Sequence, residues 1–213
     1  MSANGGKYPF SKKVNGMNKS KFIDSRFHGI MDIAYGLVKA SLLFWEYLIR
    51  NFVVFGAAKS FCTLLETVNE LFEGSGKPVR ELFRENSTKY SYKKLSLVAF
   101  LLIIYVYAFI ILPFPKTFNN YYASIIKFGC LYLLLLGVLF FSYISWILVT
   151  KNVTVKQAVM YGFYLMVKRF FRSILLIIIM VAITYVADIN FLFFLFFAPG
   201  IFAMCVRFIL RKI

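Results

Sequence analysis

The chain has 213 residues, of which 61% are hydrophobic and 20% are aromatic. Its mean hydropathy of +0.74 is too high for an ordinary soluble domain. Twenty-five Lys and Arg against nine Asp and Glu give a formal charge of +16, and the apolar content excludes a disordered basic chain. Because the basic residues flank hydrophobic runs instead of forming one continuous patch, we do not expect a nucleic-acid partner. The composition therefore indicates a protein of the lipid bilayer.

Residues 1–29 form a polar arm that carries six Lys and Arg and the single histidine, His28. The arm has no short apolar core followed by a cleavage site of small residues, so we do not expect a removed signal peptide. No Cys or His accompanies His28 at the spacing of a metal site, and we expect neither a metal nor an organic cofactor. We therefore treat residues 1–29 as a cytoplasmic arm and residues 30–213 as a single helical membrane domain.

The first two predicted helices contain charged residues. Residues 30–55 are mostly apolar and long enough to cross a bilayer, which requires about 20 apolar residues. Residues 57–72 place apolar side chains at i, i+3, i+4 and i+7, which predicts an amphipathic second helix. Two placements of this helix remain open. It crosses the membrane with its polar stripe turned toward other helices, or it lies in the interface.

Three glutamates in these helices are candidate intramembrane polar residues: Glu46, Glu66 and Glu70. A carboxylate at membrane depth needs a protein partner or water. Candidate partners are the basic residues of the same two helices: Lys39, Arg50 and Lys59. Three interpretations of the carboxylates remain open, namely a polar pathway, a contact to another membrane subunit, and solvated residues of an amphipathic helix.

Three further apolar stretches follow. Residues 95–115 and 128–150 carry no charged side chain, and each is long enough for one crossing. Residues 173–206 contain a single charged residue, Asp188, and are too long for one crossing. We therefore predict a helical hairpin that turns at residues 188–190. Pro199 and Gly200 are expected to kink or interrupt its second leg, and a re-entrant hairpin remains an open alternative.

The basic residues predict the topology. Twenty of the 25 Lys and Arg lie in four segments: residues 1–29, residues 74–94, residues 151–172 and the C-terminal end. Cytoplasmic loops are enriched in Lys and Arg, and six crossings place all four segments on the cytoplasmic side. The sequence thus predicts an all-α polytopic transmembrane bundle of about six helices with both termini in the cytoplasm.

Two of these basic segments are predicted to form amphipathic helices that could bind a partner. In residues 74–94 a turn and a proline precede a helix whose candidate docking residues are Arg80, Leu82, Phe83 and Arg84. In residues 151–172 the candidate docking residues are Lys156, Gln157, Gly162 and Arg169. Each helix is suited either to anionic membrane lipids or to a protein partner.

No motif of a catalytic centre is present. The sequence lacks the phosphate-binding loop, the nucleophile elbow, the zinc-protease helix and the dinucleotide-binding fingerprint. We therefore expect no enzymatic activity and no catalytic residue. The three cysteines lie in or beside apolar stretches and are expected to be buried thiols: Cys62, Cys130 and Cys205.

The order of the elements matches a known pattern. Three short segments carry the likeness: the Phe-Gly-Ala-Ala element at 55–58, residues 77–94 and residues 153–172. Over about residues 27–210 the chain resembles the YesL-like family of small bacterial integral membrane proteins. Residues 51–55 depart from the family pattern, which places a Pro and a Thr just before the Gly-Ala element.

The resemblance implies an accessory protein of the bacterial cytoplasmic membrane, associated with the permease and ATPase subunits of a sugar-importing ABC transporter. It implies no enzymatic activity. Lys156, Gln157 and Gly162 are similar to part of the coupling loop of ABC permeases, but the remainder of that motif is missing. This favours an accessory subunit over a permease. Two other classes remain open: a small autonomous channel or transporter with a polar path near Glu66 and Glu70, and a membrane scaffold or assembly factor.

Overall fold

The fold is all-helical throughout the part of the chain that the structure describes. The computed structural model describes residues 19–90, 93–111, 120–151 and 153–211 and contains no strand in these ranges. This confirms the all-α prediction for those ranges. The helices are α1 (Lys19–Arg50), α2 (Phe52–Glu73), α3 (Val79–Lys89), α4 (Lys93–Ile111), α5 (Asn120–Thr150), α6 (Val155–Lys168), α7 (Phe170–Ile189) and α8 (Phe191–Leu210).

The chain divides into two units at Tyr35. The described part of the first unit is the N-terminal portion of α1, so residues 19–29 of the predicted polar arm are helical. The second unit, Gly36–Ile213, contains the rest of α1 and the other seven helices. The first helix therefore begins well before the predicted start of the first span at residue 30.

Three described helices are long and apolar enough to cross a membrane: Ser124–Thr150 within α5, Phe170–Ile189 and Phe191–Leu210. They identify the chain as a membrane protein by length and composition. Helix α4 is apolar as well and coincides with the start of the predicted span at 95–115, but the end of that span lies outside the described residues. Three candidate spans are thus defined, against the six predicted.

The predicted C-terminal boundary of the first span, residue 55, is wrong. Helix α1 stops at Arg50, and Phe52 has a positive φ of 49°, which is a strained conformation for a residue with a side chain. Just beyond the turn, a Cβ at Gly56 would lie only 2.8 Å from the Cβ of Asn51. The chain therefore reverses sharply at Asn51, and the small residue at 56 permits the close approach of the two segments.

Helix α2 lies inside the second unit. It packs against α3, α4, α5 and α8. Its buried side chains face more than one direction, since both Leu64 and Leu65 are fully enclosed. At its N-terminal end, the backbone N–H of Ala58 donates to Ser96 Oγ of α4 at 2.6 Å. The polar side of α2 is thus packed against other helices of the second unit, and both placements of this helix relative to a membrane remain predictions.

The predicted amphipathic helices correspond to α3 and α6. Gly74 ends α2 in the left-handed conformation with φ 75°, and Pro78 precedes the first residue of α3. Thr154 begins α6 with a capping box, in which its side chain and that of Gln157 each bond to the backbone of the other residue. Helix α6 lies along α5, since a Cβ at Gly162 would be 3.1 Å from Ile144 Cγ1.

The predicted hairpin is present, and its turn is at Asn190. Helix α7 ends at Ile189, and the Asn190 side chain caps α8 by accepting a hydrogen bond from the N–H of Phe193 at 3.1 Å. Of the two effects expected at Pro199 and Gly200, a kink or an interruption of the second leg, the interruption is wrong. Helix α8 is continuous from Phe191 to Leu210.

Two side chains of α1 explain why α8 continues through Pro199. Proline has no N–H, so the carbonyl of Leu195 loses its usual helical donor. The indole Nε1 of Trp45 donates to that carbonyl at 3.0 Å. The N–H of Gly200 donates to Ser41 Oγ at 2.9 Å, so a second group beside the proline is also bonded to α1. A Cβ at Gly200 would lie 2.8 Å from the carbonyl oxygen of Leu37, which shows how closely α1 and α8 approach.

The Trp45 bond gives a testable prediction. Trp45→Phe keeps the ring but leaves the Leu195 carbonyl without a donor, and we expect a loss of about 1–2 kcal/mol in the free energy of unfolding. In a Pro199→Ala background the new N–H at position 199 bonds to that carbonyl, so the same substitution should cost much less. Unfolding of the four variants in detergent measures this coupling.

The other tryptophan provides the matched control, because Trp146 lies on α5 and the donor to the Leu195 carbonyl is Trp45. Trp146→Phe should cost the same in both backgrounds. If Trp45→Phe also costs the same with and without Pro199, the indole does not replace the missing helical bond.

Candidate functional site

Glu66 of α2 forms a half-buried ion pair with α3. Its Oε1 accepts a hydrogen bond from Lys89 Nζ at 2.9 Å, and its Oε2 accepts one from the hydroxyl of Tyr90. The Glu66 side chain is 17% exposed and that of Lys89 is 52% exposed. Both oxygens of the carboxylate are therefore bonded to protein donors.

Glu70 is bonded to the same side of α3 through Asn86. The buried amide of Asn86 donates from Nδ2 to Glu70 Oε2 at 3.1 Å and, at 3.5 Å, to Thr67 Oγ1. Its Oδ1 accepts from Lys89 Nζ at 2.8 Å. We call this set the α2–α3 polar network, and its members are Glu66, Thr67, Glu70, Asn86, Lys89 and Tyr90.

The network corrects the predicted partners of the carboxylates. Basic residues of the first two helices were predicted to pair with Glu66 and Glu70, but the donors that bind these carboxylates belong to α3 and to the residue after it. The sequence signal was present, because Asn86, Lys89 and Tyr90 follow a short turn at helical spacing. The third predicted glutamate, Glu46, is exposed on α1, and no contact to the network is recorded for it.

The hydrogen bond from Lys89 to Glu66 raises the pKa of the Lys89 ammonium above its ordinary value. A raised lysine pKa means that the folded state holds the proton more tightly than the unfolded chain. The stabilisation from this bond is therefore complete below the ordinary lysine pKa and is lost as the pH rises through the raised value. The bond is at full strength at neutral pH.

The docking residues predicted on α3 fall into two groups. Leu82 and Phe83 are buried, and the Phe83 ring lies 5.0 Å from that of Tyr47 on α1. These two side chains hold α3 against the chain itself. Arg80 and Arg84 are exposed and are available to a partner.

The docking residues predicted around α6 are divided in the same way. Gly162 is buried against α5, and Gln157 caps the helix from an exposed position. Lys156 is exposed, while Arg169 is half-buried between α6 and α7. The structure therefore does not gather the eight predicted docking residues into one surface.

Apolar side chains on α6 point away from α5. Met160, Tyr161 and Tyr164 are 66%, 52% and 55% exposed, and with Gln157 they line an open groove of about 510 Å³. We call this surface the α6 outer face. Lys156 and Lys168 flank it, and the ammonium of Lys168 lies 5.2 Å from the ring centroid of Tyr164. The face combines aromatic rings with positive charge.

Sequence reasoning missed the environment of Arg207. This residue of α8 is 2% exposed, and its Nε donates to Asn69 Oδ1 of α2 at 2.7 Å. Asn69 in turn donates from Nδ2 to Glu73 Oε1 at 3.0 Å. The sequence contains a pattern that indicates this burial. Gly200, Ala203 and Arg207 lie at helical spacing, and all three share the buried side of α8.

The polar contacts join residues in pairs and short chains. Among the described residues no group of three or more His, Cys, Asp and Glu side chains could hold a metal ion. These contacts hold helices together. Glu66 joins α2 to α3, and Asn69 joins α2 to α8.

A double-mutant cycle tests the Glu66 pair. We expect Glu66→Gln and Lys89→Met to show a coupling of about 0.5–1 kcal/mol in the free energy of unfolding, since the carboxylate is largely shielded from water. The control is Lys77 and Glu85 of the same region, which form an ion pair at 2.9 Å with side chains 50% and 44% exposed. Its coupling should be smaller. Equal couplings would show that Glu66 gains nothing from its position between the helices.

Comparison with known proteins adds no relative. No family model, no curated protein and no solved structure matches the chain. The resemblance to the YesL-like family therefore stays a prediction from the segments named above.

Proposed function

We propose that the chain is an accessory integral membrane protein that binds the permease and ATPase subunits of a carbohydrate ABC importer. The observation that supports this most is the α6 outer face, an exposed aromatic surface on a helix between two candidate spans. Tyr, Met and Arg are enriched where proteins bind one another. The likeness to the YesL-like family supports the choice of partner.

The proposal places the chain in the bacterial cytoplasmic membrane with six crossings and both termini in the cytoplasm. To the three candidate spans it adds α1, α2 and α4, of 32, 22 and 19 residues. Each is close to or above the length of about 20 residues that a crossing requires. With this topology α3 and α6 both lie on the cytoplasmic side, where anionic lipids attract their basic residues.

The α2–α3 polar network weighs against the channel hypothesis. A carboxylate that lines an aqueous path needs oxygens that face water, whereas both oxygens of Glu66 are bonded to Lys89 and Tyr90. Glu70 is bonded to the buried amide of Asn86. A function that uses the outer surfaces of the bundle fits these contacts better than one that uses its interior.

Copurification from native membranes tests the proposal. The tagged wild-type protein, solubilised in a mild detergent after crosslinking, should recover the permease and ATPase subunits of one sugar importer. The double variant Tyr161→Ser and Tyr164→Ser should reduce this recovery about tenfold or more, since aromatic anchors carry much of the energy of an interface. Mass spectrometry of the recovered proteins measures both.

The matched control is Tyr185→Ser on α7, because Tyr185 is 68% exposed and lies on a different helix. It should leave recovery unchanged. Isolation of the wild-type protein alone would refute the accessory role, and recovery of membrane proteins unrelated to transport would favour a scaffold. Ion or sugar flux by the purified protein in vesicles, abolished by Glu66→Gln, would establish a channel or transporter instead.

A further inference from the structure

Arg207 is a buried cation without an ion pair. No carboxylate of the described residues forms a salt bridge with it, and its recorded hydrogen bond uses Nε alone. The two terminal nitrogens of the guanidinium have no hydrogen-bond partner within the part of the chain that the structure describes. Arg207 as a whole is 2% exposed, and its two terminal nitrogens are not fully enclosed.

The surroundings of Arg207 are more basic than acidic. Arg211 lies one helical turn further along α8, and Arg172 of α7 donates from Nη1 to the carbonyl of Ile209 at 3.1 Å. Two arginines of α8 thus lie one turn apart, and a third reaches the same end of the helix from α7. The nearby acid, Glu73, accepts a hydrogen bond from the amide of Asn69, and it attracts Arg207 without forming a salt bridge.

Aromatic rings replace water around the guanidinium but do not neutralise it. The Arg207 Cζ lies 4.8 Å from the ring centroid of Phe72 and 5.8 Å from that of Phe208. Such contacts attract a cation, yet a buried charge still needs an anion or several hydrogen bonds to offset its lost hydration. The free edge of a guanidinium, with two parallel N–H donors, matches the oxygens of a phosphate group.

We propose that Arg207, with Arg211 beside it, forms a binding site for a phosphate group between α2 and α8. Because the site lies at the end of a candidate span, the phosphate of an anionic phospholipid headgroup is the expected occupant. This goes beyond the accessory function proposed above and does not depend on it. A bound headgroup would join α2 to α8 and explain why an arginine is enclosed there without a carboxylate.

Lipid titration of the purified full-length protein tests the site. We expect phosphatidylglycerol to bind more tightly than phosphatidylcholine, as measured by native mass spectrometry and by the rise in the unfolding midpoint. Arg207→Gln should weaken phosphatidylglycerol binding about tenfold or more, because it removes both the charge and the paired donors. The matched control, Arg50→Gln, removes an exposed guanidinium from the end of α1 and should leave the affinity unchanged.

Two further variants keep the test decisive if Arg207→Gln does not fold. Arg207→Lys keeps the charge without the paired donors, and Arg211→Gln removes the neighbouring charge, and each should weaken binding about threefold to tenfold. Wild-type affinity for phosphatidylglycerol in all the folded Arg207 and Arg211 variants would overturn the proposal. Inorganic phosphate is titrated in parallel. If it binds as tightly as the lipid, the site accepts a free phosphate and the headgroup assignment falls.

Discussion

A polar group that packed helices shield from water must find its partner in the protein. The contacts of this chain follow that constraint at three helix junctions. Trp45 bonds to the carbonyl beside Pro199, Glu66 bonds to Lys89, and Asn69 bonds to Arg207. The first and the third of these bonds join helices more than 100 residues apart, at separations of 150 and 138 residues. These polar contacts join α1 to α8, α2 to α3 and α2 to α8 within the second unit.

Helix α2 takes part in two of the three junctions, and this gives it a structural role. Glu66 and Asn69 are three residues apart, so they lie on neighbouring parts of one helical surface, and they bind α3 and α8 respectively. Residues that would be the first candidates for an ion path are therefore occupied in holding helices together. The groups left for recognition lie outside, on the α6 outer face and at the exposed arginines of α3.

The fold class and several elements could be predicted from the sequence because they depend on local patterns. The hairpin turn at Asn190 follows from one polar interruption in a long apolar run, and α3 follows from a turn and a proline before an amphipathic segment. The end of α1 could not be predicted, because the turn at Phe52 adopts a positive φ that no residue type there demands. The continuity of α8 depends on Trp45, which is 150 residues away from Leu195.

The candidate site could be predicted only in part, because the sequence pattern is local and the contacts are not. Helical periodicity identified the polar stripe of α2 with Glu66 and Glu70, but the donors that bind them lie on the next helix and not among the nearest basic residues. The sequence places Arg207 in the basic C-terminal segment that predicts the topology. Its burial depends on the position of α2 and could not be predicted from that segment. Periodicity locates a polar face, whereas the partner of that face depends on tertiary packing.

The accessibility of Cys62 tests most directly whether the polar stripe of α2 is closed to water. Cys62 is fully buried one turn before Glu66 on the same helical surface. With Cys130 and Cys205 replaced by Ala, a water-soluble methanethiosulfonate reagent should label Cys62 at least about 100-fold more slowly in the folded protein than in the denatured chain. Tyr161→Cys in the same background, without Cys62, gives the rate for an exposed site. Labelling of Cys62 at that rate would contradict the account and indicate a water-filled path along α2.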